Sequence, residues 1–221
     1  AIEIVKNPSG AMVGPNSIGG VVNFITGEFF DNSITFKAGS NNTRGVDIKL
    51  VDNATENTKV FITADGLSSD GISVKDGSEK DGYTIRNFSV GTYTRLDDGH
   101  VKTNFMHKNN DSDLDGTSDD PDYTANNKNN IYQIITKKNN KLGHVDLALG
   151  YTDYDRTYAN GSEIDEYDSN STNLVLSQTI VKDKIDIVPG VEYEHQEAKF
   201  NNRGSYTSSV DAHHWNTAYF V

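Results

Sequence analysis

The chain has 221 residues, a formal net charge of −12, no cysteine and 34% hydrophobic residues, with 19 glycines, 11 tyrosines and 9 phenylalanines. The charge argues against a nucleic-acid partner, which needs Lys and Arg gathered on one face, and the lack of cysteine excludes disulfides and thiolate metal sites. No apolar run reaches the roughly 18 residues of a membrane helix, and a mean hydropathy of −0.62 is low for an ordinary core, so the apolar residues are either spread along thin alternating strands or the chain is partly disordered.

Two β-branched runs open the chain, Ile-Glu-Ile-Val-Lys-Asn-Pro at 2–8 and Ile-Gly-Gly-Val-Val-Asn-Phe-Ile-Thr at 18–26. Residues 9–17 join them with the glycines and proline of a compact turn, and Gly19-Gly20 lets the backbone pass close to a neighbour. After a linker at 27–32, residues alternate with a strand period of two. Ile34, Phe36 and Ala38 share one face of 33–39, and Val46, Ile48 and Leu50 share one face of 45–51. The same pattern predicts strands at 59–65, 83–95, 99–108, 130–138, 143–153, 171–181, 184–194 and 212–221, about ten in all.

The connections alternate in expected length. Those at 52–58, 96–98, 139–142 and 182–183 are short; those at 66–82, 109–129, 154–170 and 200–211 are long. Short turns on one rim and long loops on the other characterise a bacterial outer-membrane barrel, its long loops outside. Val145, Leu147, Leu149 and Tyr151 alternate with Asp146, Ala148 and Gly150, and Ile185, Ile187, Val191 and Tyr193 alternate with Asp186, Gly190, Glu192 and Glu194. Lipid would meet the first set and a wet lumen the second, although a one-sided soluble sheet alternates equally. Tyr93, Phe105, Tyr132, Tyr151, Trp215 and Tyr219 are candidates for interfacial aromatic girdles.

The most pointed chemistry lies in 111–122. Counting Asp111 as the first position, carboxylates fall at Asp111, Asp113, Asp115, Asp119 and Asp122, with Gly116 at the sixth. Hard oxygen donors at alternate positions around a glycine suit Ca²⁺, without the flanking helices or final Glu of an EF-hand. Asp155, Asp165 and Asp168 in the next long connection could share such ions. His213-His214 could meet a metal chelate, but a loop-edge histidine pair is more often solvated. No Gly-x-Ser-x-Gly elbow is present, and Glu192 and Glu194, the one acid-base candidate, share a polar strand face.

Residues 2–26 resemble the end of the plug in TonB-dependent outer-membrane receptors, where a run of the type IE-V-(R/K)-x-P-x-(S/G)-A-x-x-G-x-x-(S/A)-I-G-G-V-(V/I)-N-(I/F)-I-T leads into the first barrel strand. Lys6 stands where the family usually has Arg, and Asn7 where it usually has Gly. The resemblance implies an all-β, antiparallel transmembrane β-barrel, present here in part: the end of a plug domain (1–26), the linker, and the N-terminal portion of a larger plugged barrel of about 22 strands (33–221). A chain that starts without Met or signal peptide, inside a motif, reads as an excerpt of a longer protein.

The function implied is uptake of a scarce metal chelate, such as a ferric siderophore, haem or cobalamin, across the bacterial outer membrane. Energy would come from TonB, through a segment N-terminal to the plug, with outer-membrane lipid and a small metal-chelate ligand as the other partners. Ligand contacts would come from the plug turn at 12–17, including Met12 and Asn16, and from the long loops. Cobalamin transporters of this family hold calcium between two such loops, and Tyr154-Asp155 falls where a Tyr-Asp pair is expected there. The alternatives are a calcium-stabilised soluble β-sandwich adhesion module, which leaves 2–26 unexplained, and a β-rich carbohydrate-active enzyme using Glu192.

Overall fold

The computed structural model describes residues 2–6, 20–24, 31–73, 79–116, 122–182, 185–204 and 207–221. Strands β1 (Ile2–Lys6) and β2 (Gly20–Phe24) form an antiparallel pair running from Ile2↔Phe24 to Lys6↔Gly20. The turn carrying Met12 and Asn16 lies outside the described residues.

All the remaining strands form one antiparallel sheet of neighbours in sequence. In order they are β3 (Ser33–Ala38), β4 (Arg44–Asn53), β5 (Thr58–Ser69), β6 (Tyr83–Leu96), β7 (Gly99–Asp113), β8 (Tyr123–Asn140), β9 (Gly143–Asn160), β10 (Glu163–Lys182), β11 (Ile185–Ile187), β12 (Gly190–Arg203) and β13 (Ser208–Phe220). The sheet is open among the described residues, with β3 at one edge and β13 at the other. Strands β11 and β12 are one strand in physical terms. Both pair with β10 in a single register, from Ile180↔Ile187 to Ser177↔Gly190. They part at Pro189, which has no N–H to give the ladder, although its carbonyl still accepts from Gln178 N at 2.9 Å.

Every predicted strand is present, but all four long connections are shorter than the residue pattern suggests, three of them by a wide margin. The ladder of β7 and β8 runs through most of 109–129, and β9 and β10 meet in a tight hairpin at Gly161 (φ 58°), so 154–170 is strand rather than loop. Likewise β5 reaches Ser69, and β12 and β13 take up most of 200–211. Hydrophobic alternation stops where a strand leaves its apolar surroundings, whereas backbone hydrogen bonding needs no apolar side chain. The sequence pattern therefore marks the apolar part of each strand, and the strands extend beyond it.

This sheet has no core of its own. Ala125 is the one buried hydrophobic residue among those described, at 4% exposure. Most of the apolar side chains lie instead on one face, with Phe61, Ile135 and Val175 on the other. One register row reads Leu50, Ile62, Val90, Phe105, Tyr132, Tyr151, Thr172, His195 and Trp215, and the row beside it contains Ile134, Leu149, Leu174 and Tyr193. On the opposite face Gly91, Asn104, Gln133, Gly150, Asn173, Glu194 and Asn216 line up.

The apolar belt crosses these rows obliquely. On β3 it comprises Ile34 and Phe36, whereas the residues of β9 to β13 in the same two rows are Asp153, Asn170, Glu197, His213, Asp155, Asp168, Lys199 and Asp211. On β13 the belt has shifted to Trp215 and Tyr219. A level apolar layer across strands that tilt must appear as a diagonal in the register, so the drift is the signature of barrel tilt.

Phe105, Tyr132 and Tyr151 do form a contiguous aromatic row, with centroids 4.9 and 6.0 Å apart. Tyr93 does not join it. It points to the polar face, stacked on His100 at 5.3 Å with Lys102 Nζ over its ring. An odd residue separation on β6 puts Tyr93 and Val90 on opposite faces, which its aromatic character alone does not reveal.

Candidate functional site

Beyond the belt, β7 to β13 extend as a paired sheet whose two faces are both polar. Asp153, Asp155 and Asp168 meet on the belt face. Asp155 stands opposite Asp168 on β10 and Lys128 on β8. Asn130 joins this group, donating from Nδ2 to Asp153 Oδ2 at 3.3 Å and standing 2.7 Å from His107 Nδ1 through its own Oδ1. Beside them a shallow hollow of about 430 Å³ is lined by Asp153, Asp168, Asn170, Glu197, Lys199 and Asp211. Asp155 lies above the apolar belt. Partial burial, and then the neighbouring charges of Asp153 and Asp168, raise its carboxyl above the ordinary carboxylate range, with Lys128 opposing them.

The other predicted metal residues are dispersed. Asp111 and Asp113 are on β7 itself, and Asp111 is already engaged: Arg86 Nη1 lies 3.0 Å from its Oδ2, and Asn126 Nδ2 donates to its Oδ1. Both carboxylate oxygens of Asp115 are shielded and without a hydrogen-bond partner among the described residues. Asp122 is exposed in a turn before β8, and Asp119 lies outside the described residues. Asp165 points to the opposite face, where Asn202 Nδ2 donates to its Oδ1. Among the described residues no three His, Asp or Glu side chains are arranged to hold one metal ion. Asp111 and Asp113 stand in an extended ladder rather than in a wrapped loop.

Tyr154 projects from the opposite, inner face, and its hydroxyl donates to Asn127 Oδ1 at 3.0 Å. Period two brings Arg156 and Tyr158 onto that face with it. The Arg156 guanidinium carbon lies 4.7 Å from the centroid of the Tyr158 ring. Tyr158 contacts Tyr167 edge-on at 6.0 Å and Tyr123 at 6.2 Å, and Tyr167 packs on Phe200 at 4.7 Å. Four aromatic rings on β8, β9, β10 and β12 thus form a ladder, with the Arg156 guanidinium against the Tyr158 ring. Sequence reasoning overlooked Arg156, Tyr158, Tyr167 and Phe200 because it placed them in loops. The signal available was the Tyr154-x-Arg156-x-Tyr158 alternation.

Glu192 and Glu194 share this inner face, as their spacing implies. Glu192 accepts from Asn173 Nδ2 at 3.4 Å, and Glu194 from Gln196 Nε2 at 2.6 Å. His213 and His214 are inside β13 rather than before it. They point to opposite faces, with His213 stacked on Trp215.

No family model matches the chain, and no curated protein matches it by sequence. Solved structures do match. One is "Copper transporter OprC", with a TM-score of 0.75 and 16% identity over 98% of this chain and 37% of that one. Another is the ferric yersiniabactin uptake receptor FyuA from Yersinia pestis, with a TM-score of 0.68 and 17% identity over 99% of this chain and 39% of that one. The chain spans less than two-fifths of the length of either. At such identities the likeness concerns fold, and it agrees with the open sheet, the one apolar face and the sequence at 2–26: the chain has the fold of part of a TonB-dependent receptor β-barrel.

Proposed function

We propose that this chain is the plug end and N-terminal barrel portion of an outer-membrane receptor that takes up a scarce metal chelate, energised by TonB. The carrying observation is the diagonal apolar belt on one face of the sheet, backed by a face on which glycine, amide and charged residues predominate at the level of the belt. A soluble sheet would cover that apolar face with a second layer, whereas a barrel wall turns it to lipid and the polar face to the lumen. Two of the solved structures it resembles are titled as a copper transporter and a ferric yersiniabactin uptake receptor, which supports metal uptake as the activity class. In this reading the rim with the β5–β6, β7–β8, β9–β10 and β12–β13 connections faces outside.

Calcium belongs to this proposal as an ion of the outer rim that recruits carboxylates from more than one hairpin, since Asp153, Asp155 and Asp168 share a face without themselves forming a three-carboxylate site. Titrating Ca²⁺ into the full receptor should then protect the rim strands from protease, and unchanged cleavage would remove calcium from the proposal. Uptake itself is tested in cells whose only copy of the full-length receptor can be deleted, and then in cells lacking TonB. Radiolabelled iron from ferric chelates and copper are followed in parallel. Loss of accumulation of one of these in both deletions is expected; accumulation that survives either deletion would overturn the reading.

A further inference from the structure

The belt face carries opposite charge at its two ends. Above the belt, two adjacent register rows hold Asp153, Asp155, Asp168, Glu197 and Asp211 against Lys128 and Lys199. Below it, near the short connections, the charged residues on that face of β8 to β13 are Lys138 and Lys182 alone among those described. The turn between β8 and β9 adds Lys141, and hydrogen bonds fix that turn. Asn140 Oδ1 accepts from Leu142 N at 2.9 Å and from Gly143 N at 3.1 Å, while Asn140 Nδ2 donates to Gln178 Oε1 at 2.7 Å. Pairing continues past the β9–β10 ladder, with Val181 N donating to Leu142 O at 2.9 Å, which sets Lys182 beside Lys141.

All three lysines are exposed, and their ammonium groups make no ion pair among the described residues. Asp146 and Asp186 belong to the opposite face, and Asp97 and Asp98 in the adjoining turn lie beyond ion-pair distance. Asp183 and Lys184, which follow Lys182, cancel in charge and lie outside the described residues. The surface around the three lysines is apolar and open: Val145 stands opposite Lys138, Ile185 opposite Lys182 and Ile187 opposite Ile180, with Ile185 66% and Leu142 58% exposed. A lysine at the edge of such a surface lays its methylene stem along it and holds its ammonium at the membrane interface, the level of the lipid phosphates.

We propose that Lys138, Lys141 and Lys182 form a docking site for an anionic phospholipid of the periplasmic leaflet. Its phosphate sits among the three ammonium groups, and its acyl chains run along Val145, Ile180, Ile185 and Ile187. Charge selects the headgroup. A zwitterionic head brings a cation of its own, to which this edge offers no carboxylate, whereas a head with net negative charge meets cations alone. The inference rests on the receptor reading for its setting, since that reading turns the belt face to lipid and the short connections to the periplasm.

The test uses the full-length receptor in detergent, titrated with phosphatidylglycerol or, as the zwitterionic control, phosphatidylcholine, with bound lipid counted by native mass spectrometry. Wild type should bind phosphatidylglycerol about tenfold more tightly than the control. Lys138→Gln, Lys141→Gln and Lys182→Gln combined should bring the two lipids within about twofold of each other, and arginine at the same three positions should keep the preference. Lys128→Gln with Lys199→Gln, at the other end of the face, should leave it unchanged. A preference absent from wild type, surviving the combined variant, or falling equally with Lys128→Gln and Lys199→Gln overturns the site. Where the combined variant does not fold, Lys138→Gln and Lys182→Gln singly should each lower the preference about twofold, and an unchanged preference in both overturns it. The two readings fail separately: uptake in cells by a receptor with no lipid preference discards the docking site alone, and a lysine-dependent preference with no TonB-dependent uptake discards the transport function alone.

Discussion

Strands β7 to β10 and β12 are each two structures in series. In the belt half, one face is apolar and the other is amide-rich, as in the rows of Tyr132 and Gln133. In the rim half both faces are polar, and the side chains are ion pairs, amides and aromatic rings. The same hydrogen-bonded ladder runs through both halves without a break, from Glu163↔Asn160 to Ile180↔Gly143 between β9 and β10. The contrast teaches that backbone pairing sets where the strands run, while the surrounding solvent sets which side chains they carry.

The largest expected effect opposes two substitutions on one face of β9. Leu149→Arg, in the belt, should cost about 2–4 kcal/mol of folding free energy in a bilayer, whereas Thr157→Arg, eight residues further on, should stay within about 0.5 kcal/mol. Denaturant titration of the full receptor in vesicles reads both. Equal costs would show that the belt face does not meet lipid.

A smaller contrast lies on the inner face. A Cβ on Gly91 would fall 2.3 Å from the Phe61 ring and 2.5 Å from Thr103 O, while one on Gly150 meets nothing within 4 Å. Gly91→Val should therefore destabilise by about 1–3 kcal/mol through overpacking. Gly150→Ala should be neutral or slightly stabilising, because it restricts the unfolded chain. Thermal melts of the two variants against wild type decide the matter, and a neutral Gly91→Val would mean that Phe61 does not occupy that space.

In the rim half, Tyr154→Phe removes one hydrogen bond to Asn127 and should cost about 0.5–1.5 kcal/mol, measured as increased hydrogen exchange at the β8–β9 hairpin. No change in exchange would place the Tyr154 hydroxyl in water rather than on Asn127.

The smallest effect is a pH dependence. The folded state holds the Asp155 proton more tightly than the unfolded chain does, so this contribution to stability is fully present below the unfolded pKa and fades as pH rises through the folded one. Asp155→Asn should thus stabilise the rim slightly at neutral pH, with the gain vanishing on acidification. A gain that grows in acid would reverse the sign argued here.

The strands were legible because each passes through the belt, where period-two hydrophobicity reports on solvent directly. Ile185, Ile187, Val191 and Tyr193 shared a face on paper and share one in the sheet despite the break at Pro189. The rim was not legible for the same reason. Where both faces are wet, no alternation distinguishes a strand from a loop, so Asp111 and Asp113 read as loop residues when they stand in a ladder, and Tyr158 and Tyr167 read as unrelated loop tyrosines when they are ring neighbours.

The amino-acid sequence alone therefore determined the all-β class, the number and order of the belt strands, which face of each is apolar, and the resemblance at 2–26. Only the tertiary structure decided the diagonal course of the belt, the reach of the hairpins beyond it, and the meeting of four rings from β8, β9, β10 and β12. The first set depends on neighbours along the chain and on burial, which a period of two encodes. The second depends on register between strands, which backbone hydrogen bonds specify and which leaves no mark in the order of the residues.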